Sequence, residues 1–345
     1  MRGEELKAFT PHSSPLTNIP MTPDQPLGLV VLNMGGPDSL KAVRPFLYQL
    51  FSDRDLIQLP AGALLQKPFA AMISLLRAPK VRLNYAQIGG KSPQLIWTTR
   101  QVEGIARELG THVRPYIAMR YWAPRADETV KRMKADGIEQ AVVLSLYPHY
   151  TGATTGSSLN DFARTVRKHH PDLQYTIIRE WYDWPGYLDA LANRVREGLE
   201  KFHEMVRDEV TVLFSAHALP QEFIDRGDPY LEHVQATVKG VMARIGEHQS
   251  WTLAFQSRSG PVQWMEPDTV DEIDRLASEK VPGVLIVPVS FVSDHIETLQ
   301  EIDFEYRMHA EKVGLPRFER APSLNDHADF IEALANLVRE HLEEQ

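Results

Sequence analysis

The chain has 345 residues, 43% hydrophobic and 24% charged, with a formal net charge of -9 and a pI of about 5.8. That acidic balance argues against nucleic-acid binding, which needs a basic stripe. The absence of cysteine excludes disulfides, thiol nucleophiles, cysteine zinc sites and cysteine-held iron–sulfur clusters. No apolar run approaches the roughly 20 residues of a membrane-spanning helix. The start, with Glu4, Glu5 and several Pro and Ser, reads as a loose tail (1–25) rather than a signal or transit peptide, so the expected compartment is the cytoplasm.

Short β-branched runs then alternate with amphipathic stretches. Strands are expected at Leu27–Asn33, Val113–Met119, Ala141–Leu146, Tyr175–Arg179, Val210–Ala216, Trp251–Phe255, Val284–Val289 and Arg317–Arg320. Helices are expected at Pro93–Leu109, Asp127–Ala135, Tyr187–Phe202, Tyr230–Ile245, Asp268–Ser278 and, closing the chain, Asp326–Leu342. Such alternation implies an α/β protein with parallel sheets covered by helices on both faces. The strands fall into two sets divided near residue 190, which implies two doubly wound, Rossmann-like domains facing one another. A ligand cleft is then expected between their strand carboxyl ends. The expected units are 26–190 with 321–345, and 191–320. The segment 61–80 interrupts the pattern. Its apolar content favours a core helix; its flanking Lys67, Arg77 and Lys80 favour a cleft lip or a flap that touches membrane.

Chemistry-bearing residues gather at strand ends. His217 follows the apolar run Val210–Phe214, where imidazole can accept a proton or meet a metal. Beyond Val284–Val289 come Asp294, His295, Glu297 and Glu301, with Asp303 and Glu305 close behind. A helix starting near Ser293, capped by Ser293 or Asp294, accounts for the first acids. It does not account for the rest, because carboxylates on one face repel unless a cation or proton is handled there. His217 and Glu297 are too few for a permanent zinc site and suit a metal in transit. Asn33-Met34-Gly35-Gly36-Pro37 lacks a phosphate-loop pattern and reads as a tight turn where the backbone approaches something, with Met34 pointing into the cleft. Thr154–Ser158 reads equally as an anion cradle or a capping cluster. Tyr121, Trp122, Tyr147, Tyr150, Trp181, Trp184, Trp264 and Phe291 at the other ends would together build a flat apolar slot suited to a planar macrocycle.

Leu-Asn-Met-Gly-Gly-Pro, Ile-Gly-Gly-Lys-Ser-Pro, Arg-Tyr-Trp-Ala-Pro, Thr-Thr-Gly-Ser-Ser-Leu-Asn, Phe-Ser-Ala-His-Ala-Leu-Pro, Arg-Gly-Asp-Pro-Tyr, Gln-Ser-Arg-Ser-Gly-Pro and Ser-Asp-His-Ile-Glu-Thr-Leu-Gln-Glu-Ile-Asp all resemble the ferrochelatase family, in its order, from about Gly28 to Leu342. The pattern is closer to the animal-type, protoporphyrin-using branch. The resemblance implies the chelatase fold and insertion of Fe2+, as substrate, into protoporphyrin IX, with no cofactor required. It implies that His217 takes pyrrole protons or meets iron, and that Glu297, with Asp294 and His295, lies opposite on a helix distorted into a π-helix. Met34, Arg120, Tyr121, Trp264 and Phe291 would frame the macrocycle. Arg77, Tyr85 and Ser92 match lip and propionate-side positions, and Tyr147 and Trp184 match residues lining the iron's approach. The chain departs from animal-type members in having no cysteine for a C-terminal [2Fe–2S] cluster and a longer stretch between Leu59-Pro60 and Arg77. These departures weaken the inferences of membrane docking and channelled haem release. A monomer and a homodimer are equally expected.

Two other readings compete on residues alone: a chelatase for another metal or tetrapyrrole, such as cobalt and sirohydrochlorin or iron and coproporphyrin, and a two-domain protein that carries haem without chemistry. The carrier would need the strand-tip histidine but not the acidic track. Apolar Met34, where four carboxylates would ask for a more polar slot, favours protoporphyrin.

Overall fold

Each half of the chain builds a four-stranded parallel sheet. In the first, β1 (Leu27–Asn33), β2 (Val113–Met119), β3 (Gln140–Ser145) and β4 (Gln174–Ile178) lie in the order β2-β1-β3-β4. In the second, β5 (Thr211–His217), β6 (Trp251–Gln256), β7 (Val284–Pro288) and β8 (Phe318–Arg320) lie in the order β6-β5-β7-β8. The two halves are therefore wound alike, although no repeat is visible in the residues. The computed structural model describes residues 25–57 and 63–344. All but the last residue of the expected tail, and the Leu59-Pro60 stretch, lie outside them.

Helices on both sheet faces explain why β1 and β7 are buried at every position. One apolar cluster runs through both sheets, from Leu29, Val31 and Leu144 to Phe214, Leu285 and Val287, and takes in Phe330 and Leu334 of the closing helix Ala328–Glu343. That helix packs on the helices Gln94–Leu109 and Pro185–Leu199. A Cβ at Gly186 would lie 2.9 Å from the Ala333 side chain, so the close approach needs glycine there.

In each sheet the chain goes from the first strand to one side and then crosses back to the other. Crevices therefore open beyond the carboxyl ends of β1 and β3, and of β5 and β7. Asn33 and Met34, Leu146 and Tyr147, His217, and Ser290 and Phe291 sit at those ends.

The segment expected as a lip is part of a longer helix, Ala63–Gln87, with Pro68 and Pro79 inside it rather than bounding it. Gln66, Ala70, Ser74 and Ala78 are buried at i, i+4 spacing, a narrow stripe of small and polar side chains against the helix Val43–Phe51. Leu64, Leu75, Leu76 and Leu83 lie outside that stripe and are 56–88% exposed. The core-helix reading is thus overturned: the stripe is too narrow to bury the leucines. No helix among the described residues is long and apolar enough to cross a membrane.

Candidate active site

β5 ends on His217, and the chain beyond β7 turns into a ten-residue π-helix, Glu297–Tyr306. The helical run begins at Ile296, three residues beyond Ser293, and neither Ser293 nor Asp294 caps it. Side-chain pairs five residues apart fasten the wide turn: Gln300 Nε2 donates to Glu305 at 2.9 Å, and Tyr306 Oη donates to Glu301 at 2.8 Å. An α-turn makes neighbours of residues three and four apart, and an i→i+5 turn makes neighbours of these pairs.

Nδ1 of His217 lies 2.9 Å from Oε2 of Glu297. A carboxylate only accepts, so Nδ1 carries a proton, and in the neutral ring Nε2 keeps a free lone pair. The resemblance placed Glu297 opposite His217; the structure corrects this, because groups in hydrogen-bond contact leave no gap for a ring between them. Burial depresses the imidazole's basicity, but the carboxylates of Glu297 and Glu301 more than offset it, and the His217 pKa is raised. Glu297 moves the other way: burial would raise it, and the imidazole beside it holds it well below the ordinary carboxylate range.

Ser257 joins this pair to Glu301. Its hydroxyl lies 2.9 Å from Glu297 Oε2 and 2.5 Å from Glu301 Oε2, while its N–H donates to Glu301 Oε1 at 2.9 Å. One hydroxyl proton cannot serve two carboxylates, so a proton on Glu301 completes the bridge. Burial, followed by the charge of Glu297, pushes the Glu301 pKa up to about 7. Ser257 sits at φ +65°, a conformation that L-residues with side chains seldom adopt. The backbone strain is concentrated where the N–H meets a carboxylate.

Asp294 does not join the group. Arg320 at 3.0 Å, Ser323 at 2.8 Å, Asn325 at 2.9 Å and Thr298 at 3.2 Å all donate to its carboxylate. Burial would raise its pKa; Arg320 and these donors hold it below the usual value. Arg320 also holds Asp303, through Nε and NH2 at 2.9 Å each. The acid that opens the expected track is thus an anchor for the π-helix. His295 is buried, and its Nδ1 donates to the Ser293 carbonyl at 3.1 Å. Its Nε2 has no protein partner and lines a small pocket with Asn33, Gln94, Tyr147, Ser290 and Phe291. Burial lowers its pKa and keeps it neutral. Phe291 packs its ring edge-on to His217 and tilted against His295, with centroids 6.0 and 4.0 Å apart.

Met34 is half-buried against the apolar cluster that holds Tyr85 and Tyr121, on which Trp122 and Ile296 also pack. Gly35 adopts φ +78°. A Cβ on Gly36 would collide with the Ser92 hydroxyl, which identifies what the turn's backbone approaches. Arg120 is clamped, not free: it donates to Ser157 at 2.6 Å and pairs with Asp53 at 2.9 Å. Tyr121 is 2% exposed and donates its hydroxyl to the same Asp53 at 2.7 Å. Tyr85 is buried in the lip helix, Arg77 lies exposed with its guanidinium 5.7 Å from the Phe51 ring centre, and Trp264 is half-buried where its loop pairs with Pro220. The Trp184 indole donates to the Ala333 carbonyl at 3.1 Å and is thereby tied to the closing helix. Thr154–Ser158 is neither a simple cap nor a free cradle: Gly152–Gly156 forms a second π-turn, and Asp228 accepts from Thr151 and Gly152 at its start. Asp53 and Arg320 are not singled out by the sequence, and Ser257 and Gln300, although they fall in the quoted runs, are given no role by it, since the partners that define those roles lie elsewhere along the chain. Among the described residues no group of three or more His, Asp or Glu is arranged to hold a metal.

The ferrochelatase family profile matches residues 26–342, both sheets and every residue of this site. The chain belongs to the ferrochelatase family. Curated ferrochelatases include one from Geotalea daltonii, 50% identical over 311 residues that cover 90% of this chain and 96% of that protein. Another, from Synechocystis sp., is 44% identical over 325 residues, covering 92% and 82%. In fold, the chain is similar to SirB from Bacillus subtilis, solved with Fe3+, with a TM-score of 0.54 at 11% identity over 92% of this chain and 95% of that one. Ferrochelatase relatives therefore carry the family assignment, and SirB the likeness of architecture.

Proposed function

We propose that the protein inserts ferrous iron into protoporphyrin IX, releasing two protons and forming protohaem as the last step of haem synthesis. Family membership supports the reaction class. The observation that carries the mechanism is the His217–Glu297–Ser257–Glu301 chain. A planar porphyrin holds its nitrogens in the ring plane, two of them protonated, and presents no lone pair to iron. A cleft complementary to a bent ring stabilises the geometry in which the N–H groups and lone pairs turn out of plane. Nε2 of His217 then takes a pyrrole proton, and Glu297 stabilises the imidazolium through Nδ1–H. Ser257 connects that carboxylate to Glu301, whose raised pKa suits it to release its resting proton outward and then accept the next one through Ser257. Iron is a substrate, and the insertion changes no oxidation state, so it needs no redox cofactor.

The test is zinc insertion into protoporphyrin, read by the fluorescence of the product. A protein that binds the porphyrin without producing metalloporphyrin is a carrier, and this reading fails. Faster turnover of coproporphyrin than of protoporphyrin overturns the substrate.

The same reading extends to location: a cytoplasmic enzyme that rests its lip on a bilayer. Leu64, Leu75, Leu76 and Leu83 give the lip helix the exposed apolar face that lies in a membrane interface, with Lys67 and Lys80 available for anionic headgroups. Co-sedimentation with phosphatidylglycerol-containing vesicles checks it; protein that stays wholly in the supernatant at low salt removes it.

A further inference from the structure

The Arg-Gly-Asp-Pro-Tyr run, Arg226–Tyr230, has no part in the chemistry above, yet its tyrosine reaches the site. Tyr230 Oη lies 2.9 Å from the carbonyl oxygen of His217 and 2.6 Å from Ser290 Oγ, and the N–H of His217 lies 2.9 Å from the same Ser290 Oγ. A carbonyl only accepts, so Tyr230 spends its single proton on His217. Ser290, accepting from the His217 N–H, gives its own proton to Tyr230. The three residues close a ring in which every donor is used once and both main-chain polar groups of His217 are held. Tyr230 and Ser290 are 4% and 7% exposed, so water does not compete for these bonds.

Two further contacts fix the ring. Asp228 Oδ1 accepts the Tyr230 N–H at 3.1 Å, and its Oδ2 accepts from Thr151 and Gly152 of the first half at 2.8 and 2.9 Å. Phe291, next to Ser290, packs edge-on against the His217 imidazole. The end of β7 thus holds the main chain and the side chain of His217 together, and Tyr230 ties both to the other half of the protein.

We propose that Tyr230 and Ser290 are positioning residues for His217, fixing the strand tip so that Nδ1 meets Glu297 and Nε2 meets the porphyrin. The inference rests on the metal-insertion reading above. A base held out of line loses rate rather than substrate affinity, because the alignment matters at proton transfer.

Steady-state zinc insertion into protoporphyrin is measured for the wild type, Tyr230→Phe, Ser290→Ala and Ser290→Thr. Tyr230→Phe keeps the buried ring and removes only the hydroxyl. It and Ser290→Ala are expected to lower kcat about fivefold, the rate equivalent of one net hydrogen bond, with porphyrin KM unchanged. Ser290→Thr, which keeps the hydroxyl, is expected to retain most of kcat. Wild-type kcat in both hydroxyl-deleted variants, or a loss confined to KM, overturns the positioning role. If Tyr230→Phe does not fold, Ser290→Ala and Ser290→Thr decide by the same criterion. A wild type that inserts no metal sinks the functional reading itself, an outcome distinct from any difference among variants.

Discussion

The Nδ1 of His217 and the Oε2 of Glu297 are 2.9 Å apart, one at the tip of β5 and the other at the first residue of the π-helix. The contact assigns the tautomer and leaves Nε2 as the proton acceptor. Glu297→Gln can still accept the Nδ1–H through its amide oxygen but lacks the charge that stabilises an imidazolium. It is expected to cut kcat by about 10²-fold, the lower end of what acid–base groups contribute, with porphyrin affinity retained. His217→Ala removes the acceptor itself and should cost more. Zinc-insertion rates and porphyrin fluorescence titration check both, and undiminished turnover in Glu297→Gln would remove the pair from the mechanism.

Glu301 makes a pH-dependent contribution to stability. Its folded pKa of about 7 lies above the ordinary 4.5, so between these values the folded state holds a proton that the unfolded state has released. Stability from this group is therefore full below pH 4.5 and falls as pH rises through 7. Glu301→Gln resembles the protonated acid, since it accepts from Ser257 N–H and Tyr306 and donates to the Ser257 hydroxyl. Its melting temperature should exceed that of the wild type at pH 8, with the gap closing towards pH 5. Melting curves across that range settle the matter; a lower melting temperature at pH 8 contradicts the raised pKa.

Arg320 faces Asp294 at 3.0 Å and Asp303 at 2.9 Å, with the arginine and Asp294 side chains 13% and 17% exposed. Removing the cation leaves two carboxylates without compensation on the flank of the π-helix. Arg320→Met is expected to destabilise the protein by about 3–5 kcal/mol, as breaking buried pairs does. Asp294→Asn keeps some of its hydrogen bonds and should cost less. Because Asp294 is an anchor rather than a proton carrier, Asp294→Asn should retain kcat once folded. Urea unfolding followed by rate measurement checks both, and a large loss of kcat with normal stability would return Asp294 to the relay.

The strands were legible in the residues because both faces of each sheet are covered, which makes β1 and β7 continuous apolar runs with punctuated ends. His217 was legible for the same reason: a polar residue at the end of such a run stands out. The roles of the acids were not. Asp294 and Glu297 look alike along the chain, and only the distant Arg320 and His217 make one an anchor and the other a partner to the base. Asp53 gave no local signal, and the Gln-Ser-Arg-Ser-Gly-Pro run marked Ser257 without giving it a role, since each acts through partners more than 30 residues away. Composition alone does not choose between a core helix and a lip for 61–80; what decides is the narrow buried stripe of Ala70, Ser74 and Ala78, which leaves the leucines beside it exposed.

Gln300 links that lip to the π-helix. It is 4% exposed; its Oε1 accepts from Asn84 at 3.1 Å, and its Nε2 lies 3.3 Å from Gln87 Oε1. Asn84 and Gln87 belong to the lip helix, so the bonds cross the cleft between the two halves. Gln300→Leu keeps the volume and deletes both bonds. It also frees Glu305, which Gln300 holds at 2.9 Å. With each of the two bonds contributing about 1 kcal/mol net, their loss should weaken porphyrin affinity by roughly thirtyfold if the lip closes over the ring. KM for porphyrin should rise by that factor while kcat changes little, because His217, Glu297 and Glu301 keep their own contacts. Asn84→Leu, which acts on the same latch from the other side, should raise KM less. The double variant should add little to Gln300→Leu, since both substitutions break one connection. Full additivity of the two would show that the lip and the π-helix are held independently.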